Sequence, residues 1–138
     1  MGLDTAPLIY FIEKHATYLP LVQPFFEAAD RGDLQIVTST LTLTEVLTHP
    51  YRHGNDNLAQ QYSRILLRAR NLRMLAVSSS IAGEAARIRA DYGCRTPDAI
   101  QLATALSGEA VVFLTNDAGI PSIPTVQTMT LNRLLTSS

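Results

Sequence analysis

Four acidic residues stand where a carboxylate can do chemistry: Asp4 in "GLDTAP", Glu45 in "TLTEVL", Asp98 in "RTPDAIQLATAL" and Asp117 in "FLTND". If one fold edge collects them, their mutual repulsion has two remedies, raised pKa values or a cation between them. Oxygen-only ligands suit a hard divalent ion, Mg²⁺ or Mn²⁺, which keeps coordination positions for water and a substrate phosphate. Such an ion acidifies water and neutralises charge on a leaving oxygen, so the chemistry implied is metal-assisted hydrolysis of a nucleic-acid backbone.

Each acid also has a plainer reading. Thr96 can serve as a helix N-cap, Pro97 fits a first turn, and Asp98 then simply faces the positive end of the helix dipole. Glu45 follows Thr42 by three residues, the spacing of a capping box. Asp4 can be a turn former, and Asn116-Asp117 can close a strand in an Asx turn. Only the elements that position the four can turn them into a set.

The hydrophobic pattern supplies those elements. A very short apolar step ends at Asp4, and a helix is predicted from about Ala6. "LPLVQPFFEAADRGD" reads as a helix with a turn behind it, and the β-branched run from Gln35 to Ser39 as a buried strand. A short helix opened by Thr42 is expected to stop before Pro50, with "YRHGNDN" a loop. The helix "LAQQYSRILLRARN" buries Leu58, Tyr62, Ile65, Leu66 and Ala69; "LRMLAV" is a strand, and "SSSIAGEAARIRADYG" a helix capped by Ser80 and stopped by Gly93. After the helix that holds Asp98 comes an almost wholly apolar strand, Ala110 to Thr115. An edge strand around Thr125 to Met129 and a short helix near Leu131 to Leu135 close the chain.

Short apolar strands separated by helices argue for an α/β fold with a mostly parallel sheet covered on both faces, a three-layer α/β/α sandwich. Ligands in such folds gather at the carboxyl ends of the strands. Asp4 and Asp117 follow strands directly, and Glu45 lies one turn into the helix after another. Asp98 reaches the same edge only if its helix packs with its N-terminus there.

Composition sets the outer bounds. The 138 residues form one predicted domain, 1–138, with 46% hydrophobic and 17% charged residues and a formal net charge of −1. The overall charge does not advertise a polyanion partner, so any such contact must be local. Ten arginines stand against the single Lys14, a preference that suits bidentate phosphate contact. The lone Cys94 forbids an intrachain disulfide or a cysteine-based zinc site. With no signal-peptide pattern and no membrane-length apolar run, a cytoplasmic protein is expected. His15, His49 and His53 show no ligand spacing, so no catalytic histidine is expected, and His53 falls in the predicted loop beside Arg52.

"LDTAPLIYFIE", "TLTEVL", "RTPDAIQLATAL" and "FLTND", in that order and spacing, resemble the PIN-domain family, in particular the single-domain VapC-type toxins of type II toxin–antitoxin pairs. The resemblance spans nearly the whole chain and implies a Mg²⁺- or Mn²⁺-dependent endoribonuclease acting on RNA. It also implies a small antitoxin protein as partner and a homodimer. Asp4, Glu45, Asp98 and Asp117 match the family's acids, and Thr5, Thr115 and Asn116 its flanking polar residues. Asp4 and Asp98 match direct metal ligands, while Asp117, also placed in the metal set, and Glu45 match positions that act more through water.

Two other classes compete. A Mg²⁺-binding receiver-like signalling domain needs paired acids after the first strand, an acceptor Asp after the third and a late Lys; here Thr5 follows Asp4, "LRMLAVSSS" has no Asp, and Lys14 is early. A catalytically inactive PIN-like binding module is disfavoured by the complete acid set. Among the arginines, Arg64, Arg68, Arg70 and Arg73 could track phosphate, and Arg87, Arg89 and Arg95 could face the acids.

Overall fold

The computed structural model describes residues 1–137. In chain order, β1 (Gly2–Leu3) leads into α1 (Thr5–Ile12) and α2 (Leu19–Arg31). Then come β2 (Ile36–Ser39), α3 (Thr40–Arg52), α4 (Asp56–Arg68), β3 (Leu72–Leu75) and α5 (Ser79–Tyr92). The chain closes with α6 (Thr96–Ser107), β4 (Val112–Thr115), β5 (Gln127–Thr130) and α7 (Leu131–Ser137).

The strands form one five-stranded sheet in the order β3-β2-β1-β4-β5, and every neighbouring pair is parallel. Parallel strands alternate their side chains between two covered faces, so each face has its own core. Phe113 points to a cluster with Ile81, Ile88, Leu102 and Val126, beneath α5 and α6. Its neighbour Leu114 points the other way, to Leu3, Leu8, Val22, Ile36, Tyr62 and Leu66, beneath α1 to α4. The three-layer α/β/α architecture is therefore present, with a sheet that is wholly rather than mostly parallel. β1 lies between β2 and β4, and the strand order runs outward from it in both directions. This makes its carboxyl end a topological switch point, the place where an open α/β sheet leaves a crevice.

Several helix starts differ from the sequence expectation, each for a local reason. The cap of α3 is Ser39, whose hydroxyl accepts from Leu41 N–H at 3.2 Å. Thr42 lies within the helix and is buried, so the expected capping box with Glu45 does not form. Ser78, the last extended residue before α5, caps it by accepting from Ile81 N–H at 3.2 Å; Ser80 already lies in the first turn. Thr96 is the first residue of α6 rather than its cap, a position held by Arg95 without a side-chain bond. Asp98 thus provides the first turn's negative charge.

The largest departure is at Pro50. α3 does not stop there but runs on to Arg52, with His53 as its C-cap. Proline forfeits its own helical N–H bond and crowds the carbonyl four residues back, yet the next turn stays closed: His53 N–H donates to His49 C=O at 3.1 Å and Asn55 N–H to Pro50 C=O at 2.8 Å. The Pro50 ring is buried, so packing offsets the lost bond. The expected loop "YRHGNDN" shrinks to the turn between α3 and α4, where Asn55 caps the latter through Leu58 N–H at 3.1 Å. Near the C-terminus, Thr125 has a φ of 70°, outside strand geometry, and β5 starts two residues later than expected.

Among the described residues, no helix is long and apolar enough to cross a membrane.

Candidate functional site

The carboxyl end of β1 fixes Asp4. Its backbone N–H donates to Leu114 C=O at 2.9 Å, extending the β1–β4 ladder by one bond. As N-cap of α1 its Oδ1 accepts from Thr5 N–H at 2.8 Å, while Oδ2 accepts the hydroxyl of fully buried Thr115 at 2.6 Å. Both oxygens are held before any ligand arrives.

Thr5 links this acid to the next. Its hydroxyl donates to Glu45 Oε1 at 2.7 Å and lies 3.3 Å from Thr42 Oγ1. Beneath them runs a polar floor that the sequence reading missed. Gln101 is 3% exposed; its Nε2 donates to Thr42 Oγ1 at 2.7 Å, and its Oε1 accepts from Ser39 Oγ at 3.0 Å. Thr38 completes the floor by donating to Thr42 at 3.1 Å. A buried amide with its partners satisfied is rigid, and this one locks α6 to the end of β2 and the start of α3. The available signal was Gln101 itself, a polar residue one turn after Asp98 within the apolar stretch from Ala99 to Ala103.

α6 packs with its N-terminus at the same sheet edge, as the placement of Asp98 required. Asp98 Oδ2 accepts from Arg95 Nε at 3.2 Å; the guanidinium is largely exposed, and its Nη2 lies 3.9 Å from Asp117 Oδ2. Asp117 follows β4 and also makes the Asx turn expected of it, accepting from Gly119 N–H at 2.8 Å. Asp4, Glu45, Asp98 and Asp117, with Thr5, Arg95 and Gln101, line a single cleft of about 340 Å³.

Of the three flanking polar residues, Thr5 lines the cleft and Thr115 acts from beneath it. Asn116 turns away: its Nδ2 donates to Tyr10 Oη at 3.3 Å, and its Oδ1 is buried without a hydrogen-bond partner. Of the three arginines near Asp98 in sequence, Arg95 lines the cleft. Arg87 pairs loosely with Glu84, and Arg89 donates to Cys94 C=O.

Burial raises the Asp4 pKa, the hydrogen bonds from Thr115 and Thr5 oppose that rise, and the negative charges of Asp98 and Glu45 add to it. The site therefore carries an electrostatic cost that a bound cation would relieve. Among the described residues no group of three acidic, histidine or cysteine side chains is arranged as a finished metal cage. Arg95 draws Asp98 and Asp117 toward itself, and Thr5 holds Glu45. The donor chemistry nevertheless fits a hard divalent ion, since four carboxylates and the Thr5 hydroxyl line the cleft and, among the described residues, no histidine or cysteine does.

Known proteins share this architecture. A family model described as PIN domain matches residues 1–125. A toxin–antitoxin complex from Klebsiella pneumoniae superposes with a TM-score of 0.67 at 25% identity, covering 90% of this chain and 92% of that one. DNA-bound VapBC from Salmonella typhimurium gives 0.69 at 20% identity, covering 94% and 96%. VapBC2 from Rickettsia felis, bound to a DNA fragment from its promoter, gives 0.67 at 18% identity, covering 93% and 96%. No curated protein sequence matches the chain.

Proposed function

The chain belongs to the PIN-domain family, and on that premise we propose that it is a divalent-metal-dependent endoribonuclease, the VapC-type toxin of a toxin–antitoxin pair. The observation that carries this reading is the convergence of Asp4, Glu45, Asp98 and Asp117 on one cleft at the switch point of the sheet. The toxin–antitoxin relatives support a small protein antitoxin as partner. A cytoplasmic homodimer is part of the same proposal.

Asp4 and Asp98 would hold Mg²⁺ or Mn²⁺, with Asp117 contributing directly or through water. When bound, the ion neutralises charge developing on the phosphate and acidifies an attacking water. Glu45, exposed and steered by the Thr5 hydroxyl, orients that water. Thr115 and Thr5 keep the Asp4 oxygens aimed into the cleft. Arg95 stands at the mouth with its guanidinium available to a backbone phosphate of RNA.

Purified protein incubated with RNA should cleave it in Mg²⁺ or Mn²⁺ and not in EDTA. Asp4→Asn and Asp98→Asn should each reduce the rate by at least about 100-fold, the scale of losing a group that stabilises transition-state charge. Equal cleavage by the wild type and both variants would overturn the assignment. Rescue of toxin-arrested growth by a short, adjacent reading frame tests the partner.

A further inference from the structure

The continuation of α3 through Pro50 creates a second candidate metal site. His49 and His53 are four residues apart in an unbroken turn, joined by the 3.1 Å bond from His53 N–H to His49 C=O. Their side chains therefore share one helix face. The ring centroids lie 4.3 Å apart with the planes tilted by 56°. Both residues are exposed, and among the described residues neither ring has a hydrogen bond or ion pair.

We propose that His49 and His53 form a two-imidazole clamp for a divalent transition ion of the Zn²⁺, Ni²⁺ and Cu²⁺ class, separate from the carboxylate cleft. Two nitrogens bound to one tetrahedral ion at about 2.0–2.1 Å stand about 3.3 Å apart. Rings centred 4.3 Å apart are close enough for side-chain rotation, which their exposure permits, to spread them slightly and bring one nitrogen of each to that spacing. Two histidines four apart on a helix are an established arrangement for holding zinc. Imidazole selects this class of ion, whereas carboxylate and water select Mg²⁺ and Mn²⁺. The α3 C-terminus favours a cation through its outward carbonyls, and the neighbouring charge of Arg52 opposes one. Water fills the remaining coordination positions.

His15 serves as an internal control. Its Nδ1 already accepts backbone N–H bonds from Thr17 at 3.1 Å and Tyr18 at 3.2 Å, and its ring packs against both Tyr10 and Tyr18, which stack on each other.

The test is isothermal titration of untagged protein with ZnCl₂ in excess MgCl₂, which keeps the carboxylates engaged. One site per chain is expected, weakened by about tenfold or more in His49→Gln and in His53→Gln, because each removes half of a chelate, and retained in His15→Gln. No Zn²⁺ binding by the wild type, or undiminished binding by both clamp variants, overturns the proposal. Neither outcome depends on RNA cleavage, so the clamp and the nuclease reading fail independently.

Discussion

Asp4 is the residue where stability and function pull apart. Its pKa is raised, mainly by burial, so at low pH the folded and unfolded chains both carry it protonated and nothing is lost. As pH rises above its ordinary value of 3.8, the unfolded chain ionises first. The folded chain holds its proton longer, and stability falls until the folded pKa is passed. Asp4→Asn removes that loss, keeps a capping oxygen for Thr5, and replaces the bond accepted from Thr115 by one its amide N–H donates to the Thr115 hydroxyl. In EDTA, the variant should therefore melt above the wild type at pH 7, and the gap should close toward pH 4. Each kcal/mol relieved raises Tm by about 2–4 °C in a chain of this size. A variant that melts no higher at any pH refutes the account. Thr115→Val is the converse case: same shape, but no hydroxyl for Asp4 Oδ2. A charge-assisted bond of this kind contributes about 1.5–3 kcal/mol, so urea denaturation should show that loss and cleavage should weaken with it. The four acids were legible in the sequence because Asp4 and Asp117 follow apolar strands, Glu45 lies one turn into the helix after another, and Asp98 heads an apolar helix. Gln101 was not, because its role depends on Ser39 and Thr42, which reach it only through tertiary packing.

At the scale of elements, the site depends on how closely α6 approaches the sheet. Gly108, just past the end of α6, leaves no room for a side chain: a Cβ there would lie 2.6 Å and 2.8 Å from the two methyls of Val37 in β2. Gly108→Ala must therefore push helix and strand apart, at a cost of about 1–3 kcal/mol for an overpacked contact. A fall in the urea midpoint with an unchanged slope is the expected result. The existence of these elements was readable from apolar patterning, since β2 and β4 are short runs rich in β-branched residues and the helices carry apolar stripes. Their ends were less so. Three serines in a row before α5 can all cap in principle, and only the extended backbone at Ser78 selects one. Pro50 carries a strong stop signal, yet burial of its ring keeps α3 going. That single misreading also hid the pairing of His49 with His53, because residues four apart face each other in a helix and not in a loop.

On the whole-molecule scale, the cleft is assembled from residues near positions 4, 45, 98 and 117, drawn from β1, α3, α6 and the segment after β4. Strand order brings them together, and strand order was the feature least visible in the sequence: local patterning predicts a parallel sheet but does not say that β1 sits at its centre. An ion held between these segments ties distant parts of the chain, and the unfolded chain cannot offer the same ligands. Binding should therefore stabilise the fold by mass action, about 2.7 kcal/mol at a concentration 100 times Kd. For a domain of this size that corresponds to a Tm rise of about 5–10 °C. Mn²⁺ should give this rise in the wild type and little of it in Asp98→Asn, because the proposed site takes its α6 carboxylate from Asp98, and without it an ion would no longer connect that helix to β1. A scan of Tm against Mn²⁺ concentration measures the effect directly. His49→Gln serves as the control in that scan: its imidazole is remote in chemistry from a hard ion, so the variant should follow the wild-type curve. If Asp98→Asn also follows it, the ion does not bind where the four acids meet.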